Sequence, residues 1–341
     1  MKEDSLYLAK WWTQDNNGKL LCTLCPRYCS IGESQAGFCY IRQNINGKLY
    51  STGYGHPTGF AIDPIEKKPL NHFYPGTQIL SFGTAGCNLG CKFCQNWSIS
   101  KAKLDNIHSL NVSPSQVVEL AIKNKVPSIA YTYNDPVIFG EYVIDISKIA
   151  REANIKNVMV TAGYIDKDAR KEVFEFIDAA NVDLKGFTES FYYKLTASHI
   201  NPVLDTLIWL KRETDIWLEI TTLLIPDEND TDDELKLMCN WIIENLGEEV
   251  PLHFTAFHPD FKLLSKPRTP HQTLIRAREI ALAAGIMYCY LGNIHDKSGS
   301  STYCHNCHNL LIERDWHSIT MTNIKSNQCP KCGAGIPGRF K

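Results

Sequence analysis

The chain has 341 residues, 44% of them hydrophobic, which suffices for a core of α/β-barrel size and smaller appendages. Lys plus Arg number 35 against 37 Asp plus Glu, so the net charge of −2 offers no electrostatic basis for nucleic-acid or membrane binding. The first residues, Met1-Lys2-Glu3-Asp4-Ser5, are charged where a secretory signal needs an apolar stretch, and the longest apolar run, Ile280 to Leu291, is short and broken by Gly285. A cytoplasmic protein is expected. Its 13 cysteines are then reduced thiols, and the clustered ones are expected to ligate metal.

The first cluster is Cys22, Cys25, Cys29 and Cys39, with gaps of two, three and nine residues. It can hold zinc or an auxiliary iron–sulfur cluster, or consist of unligated thiols in a loop-rich arm; spacing does not choose between them. From residue 78 onward, short β-branched runs alternate with amphipathic windows, the pattern of βαβ units and a parallel sheet. Strands are predicted at Gln78 to Gly83, Ser128 to Tyr133, Asn157 to Thr161, Asn181 to Lys185, Trp217 to Leu224, His253 to Phe257 and Tyr288 to Leu291. Between them, Ser113-Pro114-Ser115-Gln116 combines an N-cap, a proline at the first helical position and a capping-box partner. Val137 to Ala153 and Asp232 to Leu246 carry apolar residues at helical spacing. The predicted fold is α/β, a partial or full (β/α) barrel over residues 75–295, preceded by a cysteine-rich arm (1–74) and followed by a zinc-ribbon-like segment (296–341). Active residues are expected at the C-terminal ends of the strands.

Gly86-Cys87-Asn88-Leu89-Gly90-Cys91-Lys92-Phe93-Cys94 follows the first of these strands and so falls on that face. In a cubane iron–sulfur cluster each iron takes one thiolate, so Cys87, Cys91 and Cys94 occupy three irons and leave one open for a substrate. A set of buried or zinc-binding thiols is the alternative. At the other end, Cys304-x2-Cys307 and Cys329-x2-Cys332 are two knuckles with the spacing of a structural four-thiolate zinc site. Cys239 and Cys289 fall within helix and strand patterns and read as small core residues.

The Cys-x3-Cys-x2-Cys loop, with an aromatic before its last cysteine, resembles the radical S-adenosylmethionine superfamily. Longer strings resemble the radical enzymes of the AmmeMemoRadiSam system, relatives of pyruvate formate-lyase activating enzymes: Asp63-Pro64-Ile65-Glu66-Lys67-Lys68-Pro69-Leu70, Cys94-Gln95-Asn96-Trp97, Tyr131-Thr132-Tyr133-Asn134, Asn181-Val182-Asp183-Leu184-Lys185-Gly186 and Leu223-Leu224-Ile225-Pro226. The resemblance implies a 4Fe-4S cluster on Cys87, Cys91 and Cys94 and reductive cleavage of S-adenosylmethionine to a 5′-deoxyadenosyl radical that abstracts hydrogen. It also places Phe93 near the adenine, Asp183 and Lys185 at the ribose and methionine carboxylate, and His258 near the cofactor. Two positions depart from the family's pattern. Asp135 precedes Pro136 where Glu is expected to receive the methionine ammonium, and Ala162 stands where Asn is expected. The implied partners are a flavodoxin or ferredoxin reductant and Memo-like and AMMECR-like proteins. Activation of a glycyl-radical enzyme is the rival function, and a non-catalytic iron–sulfur or zinc-ribbon interaction protein is the alternative from another class.

Overall fold

A computed structural model describes residues 6–15 and 17–340. Eight strands form one sheet whose spatial order follows the chain: β1 (Thr58–Pro64), β2 (Gln78–Gly83), β3 (Ser128–Tyr131), β4 (Lys156–Thr161), β5 (Ala179–Asp183), β6 (Trp217–Leu224), β7 (Leu252–Ala256) and β8 (Cys289–Gly292). The pairings from β2 through β8 are parallel, and β1 runs antiparallel to β2 with Asp63 opposite Ile79. Strands β1 and β8 are the two edges of the sheet, so the barrel is partial. Six helices make the crossovers between parallel strands: α1 (Pro114–Lys123), α2 (Gly140–Glu152), α3 (Lys167–Val173), α4 (Asn201–Glu213), α5 (Asp232–Leu246) and α6 (His271–Ala284).

Local chemistry explains the starts and stops. The capping box at α1 is present: Ser113 Oγ accepts from the Gln116 amide at 3.3 Å and Gln116 Oε1 accepts from the Ser113 amide at 2.8 Å. The predicted strands at Ser128 and Asn181 stop two residues early. Tyr133 takes a positive φ of 71°, and the Leu184 amide turns back onto the Val182 carbonyl at 3.1 Å. The break frees Asp135 and Lys185 from the ladder and turns them toward the interior. Residues 58–64, assigned to the arm by the sequence pattern, instead form edge strand β1. A bulge between Thr58 and Ala61 and the positive φ of Gly59 interrupt the alternation that would have marked them as a strand.

The arm comprises two three-stranded antiparallel sheets and is fastened to α2 by Arg42, whose guanidinium forms a bidentate pair with buried Glu141 at 3.0 and 3.0 Å. The C-terminal ribbon lies against the other edge. Its strands Leu310–Asp315 and Ser318–Thr322 pair antiparallel, and Leu311, Ile312 and Ile336 share a small core with Tyr288 and Tyr290 of the barrel. The ribbon also reaches toward β1: the Arg339 amide donates to the His72 carbonyl at 2.7 Å and the Tyr74 amide to the Arg339 carbonyl at 2.6 Å.

Candidate functional site

The loop after β2 is held in place by polar groups from its neighbours. Asn134, just past β3, accepts from the Thr84 amide at 3.2 Å and donates to the Gly86 carbonyl at 2.7 Å, while Asn88 donates to the Tyr164 carbonyl at 2.8 Å. Farther along, the Gly90 and Lys92 amides donate to the Thr196 and Leu195 carbonyls at 2.7 and 2.8 Å. This loop carries Cys87, Cys91 and Cys94 to one wall of a cavity of about 820 Å³ at the C-terminal ends of the strands. The Leu89 amide points at Cys87 Sγ at 3.4 Å. Three thiols line the cavity with no fourth cysteine among its described lining residues, the donor set that fits a cubane with one open iron.

Asp135, Asp183 and Lys185 line the same cavity. Asp135 is buried; Thr161 Oγ1 donates to it at 2.8 Å, the Val137 amide at 3.1 Å and the Ala162 amide at 3.2 Å. Burial pushes its carboxyl up to about 6 against those three donors. Lys185 pairs with Asp183 at 2.7 Å; burial opposes its charge, but Asp183 and Cys91 outweigh burial and raise its pKa. One acidic and one cationic group thus reach the cavity from β3 and β5, the complement of a zwitterionic amino acid. Ala162 also lines it, and its amide rather than its side chain supplies a polar contact, to Asp135.

Two expected residues lie elsewhere. Phe93 is buried against Phe191, with ring centroids 5.9 Å apart, and is not among the cavity-lining residues, because its side chain serves to pack the loop onto the segment after β5. His258 is exposed, its Nδ1 3.4 Å from the Pro259 carbonyl; β7 has already ended at Ala256 and carries it past the cavity rim.

The cavity also has a wall that sequence reasoning missed, lined by Asn71, His253 and Tyr290 and braced by Glu219 and His72, which are not themselves among its lining residues. Buried Glu219 accepts from the Asn71 and His72 amides at 3.0 and 2.8 Å, from Trp217 Nε1 at 3.0 Å and from His253 Nε2 at 2.7 Å. A glutamate inside the apolar run of β6 was the available signal. His72 Nδ1 faces the Pro337 carbonyl at 2.6 Å, so its Nε2 is left to accept from Tyr290 O–H at 2.5 Å, and Tyr290 in turn accepts from Thr302 at 2.9 Å. Beside it, Asp63 takes Lys67 and Lys68 at 2.8 and 2.7 Å; burial alone would raise its carboxyl, but these two bonds bring it down to about 2. Arg314, Trp316 and His317 of the ribbon complete this wall, with Glu66 Oε2 and Arg314 Nε buried and lacking hydrogen-bond partners.

The two outer cysteine sets differ in geometry. Cys304, Cys307, Cys329 and Cys332 bring their sulfurs within 4.8 Å of one another, with 3.6 Å between Cys304 and Cys332 and 3.7 Å between Cys307 and Cys329. Thiolates about 2.3 Å from a tetrahedral ion stand roughly 3.8 Å apart, so the set fits one metal ion. Cys22, Cys25, Cys29 and Cys39 face a common pocket in the arm. Among the described residues, no helix is long and apolar enough to cross a membrane.

Residues 82–239 match the model of the radical SAM superfamily. Over 330 residues the chain is 44% identical to an uncharacterized protein of Methanocaldococcus jannaschii, covering 96% of this chain and 98% of that protein. It is 23% identical over 127 residues to the 4-hydroxyphenylacetate decarboxylase activating enzyme of Clostridium scatologenes, covering 36% of this chain and 40% of that enzyme. Its fold is similar to that of a radical SAM methyltransferase from Sphaerobacter thermophilus, with a TM-score of 0.50, 18% identity, and 70% of this chain and 71% of that one covered. The chain belongs to the radical SAM superfamily, a family of enzymes whose chemistry implies a 4Fe-4S cluster and S-adenosylmethionine.

Proposed function

We propose that Cys87, Cys91 and Cys94 hold the 4Fe-4S cluster, that Asp135 receives the ammonium of S-adenosylmethionine, and that Lys185, steadied by Asp183, receives its carboxylate. The carrying observation is that these residues, from three different strand ends, line one cavity. When bound, the reduced cluster supplies the electron that breaks the sulfonium bond, giving methionine and a 5′-deoxyadenosyl radical that abstracts hydrogen from substrate. The chain's own residues then do three things: three thiols anchor the cluster, the paired charges orient the methionine end, and the ribbon wall with Arg314, Trp316 and His317 encloses the space left for substrate. The ribbon set holds zinc, a metal suited to four closed thiolates and to a structural role. A one-electron donor such as flavodoxin or ferredoxin serves the cluster, and Memo-like and AMMECR-like proteins join the reaction.

Activation of a glycyl-radical enzyme is the second reading, favoured by the similarity to the Clostridium scatologenes activating enzyme. Against it stands the ribbon, whose residues occupy one wall of the cavity that a partner's glycine loop would have to enter. Anaerobic reaction of the reconstituted chain with a reduced ferredoxin-type donor, S-adenosylmethionine and native-cell extract decides between them. 5′-Deoxyadenosine without a glycyl-radical signal in electron paramagnetic resonance supports the first reading; such a signal on a partner protein establishes the second.

A further inference from the structure

We infer that Cys22, Cys25, Cys29 and Cys39 hold a second 4Fe-4S cluster, packed directly behind the loop of the first. The four side chains converge on one pocket from separate local structures. Cys22 ends strand Leu20–Cys22, Cys25 opens the turn in which the Tyr28 amide bonds its carbonyl at 3.2 Å, Cys29 precedes strand Ser30–Ile31, and Cys39 lies in the turn closed by the Tyr40 amide on the Gly37 carbonyl at 2.9 Å. Two turns and two strand ends that converge four thiols are more than apolar packing requires.

Three observations support a cluster, the first and third of them over a single ion. The sulfurs of this set do not close into one ligand group as those of the ribbon do. In a cubane each thiolate binds a different iron at a corner, so the sulfurs stand farther apart than around one ion. Among the described residues, Cys87, Cys91 and Cys94 likewise do not close into such a group. Second, a backbone amide is aimed at one of the sulfurs: Phe38 donates to Cys29 Sγ at 3.5 Å. Such amides stabilise clusters and tune their potentials. Third, the buried Arg42 side chain lines the pocket with its Nε lacking any partner, although its other nitrogens are satisfied by Glu141 and the Lys10 carbonyl. A buried guanidinium donor without a partner, on a residue that lines the pocket, calls for an acceptor nearby. The bridging sulfides of a cubane add acceptors beyond the four thiolates, whereas zinc adds none.

The placement gives this site an electronic consequence. Asn88 lines the pocket, its carbonyl accepts from Arg27, and Gly86 packs on the Cys39 carbonyl, so the two cysteine sets are separated by one layer of backbone. One electron held on the second cluster stands next to the first.

The test is metal, sulfide and spin analysis of the full chain after anaerobic reconstitution, and its outcome does not depend on the loop cysteines holding a cluster. The Cys87→Ala, Cys91→Ala, Cys94→Ala triple variant should retain about four iron and four sulfide per chain and give a reduced-cluster paramagnetic signal. An iron-free triple variant overturns the inference, whether it carries a second zinc or none. If that variant does not fold, the wild-type count decides: about eight iron per chain supports the second cluster, and about four overturns it.

Discussion

The carbonyl of Cys39 rests directly on the α-carbon of Gly86, in the space a β-carbon would fill, and Gly86 takes φ +81°. Arm and three-cysteine loop therefore meet with no side chain between them, one residue before Cys87. Gly86→Ala should cost roughly 3 kcal/mol or more, from left-handed backbone strain plus the overlap. Gly18→Ala is the control: its φ is +74° with open space around it, so it should cost only about 1 kcal/mol. Denaturant midpoints and iron content check both, and equal losses would show that the Cys39 contact contributes nothing.

At the proposed methionine site, Asp135→Asn should weaken S-adenosylmethionine binding more than Asp135→Glu, because only the former removes the negative acceptor. A charge-assisted hydrogen bond contributes about 1.5 to 3 kcal/mol, on the order of tenfold to over a hundredfold in affinity. Calorimetry on the anaerobic, cluster-loaded protein reads the difference. Equal affinities in all three proteins would remove Asp135 from the site.

Acid should loosen the ribbon's seam with the barrel. Burial lowers His72 from an ordinary 6.5 to about 4, so the folded state keeps it neutral while the unfolded chain takes up a proton. A depressed folded pKa means stability is fully present above pH 6.5 and is lost as pH falls toward 4, with a slope up to about 1.4 kcal/mol per pH unit. Glu219, also held below its usual value, adds loss in the same direction only at lower pH. Urea unfolding at pH 7, 6 and 5 should show the decline, and His72→Asn should flatten it. An unchanged slope in that variant would assign the decline to other groups.

The ribbon thiols should bind about one zinc per chain. Cys307→Ser should abolish it and raise hydrogen exchange over residues 300–340, because metal binding energy is folding energy in so short a segment. Retention of zinc with unchanged exchange would contradict a structural four-thiolate site.

How far the sequence disclosed this molecule depended on what each residue's signal required. Parallel strands and the α1 capping box were legible because alternation and capping are local. The three-cysteine loop was legible because its cysteines lie within eight residues. Strand β1 was not, since a bulge and Gly59 break its pattern and its pairing depends on β2. The Glu219, His72 and Tyr290 chain was invisible for a related reason: its members come from β6, the segment after β1, and β8, and only folding brings them together. Phe93 and His258 are a different case. Motif position gave them a role, while the direction of one side chain and the length of β7 place both outside the cavity lining.

The central claim is that the cavity cleaves S-adenosylmethionine on the cluster held by the β2 loop, and the most direct measurement is 5′-deoxyadenosine released per chain after anaerobic reconstitution and dithionite reduction. Wild type should release it, and Cys87→Ala, Cys91→Ala and Cys94→Ala should each abolish release, because the three thiolates anchor one cluster. Release that persists in the triple variant would contradict the account.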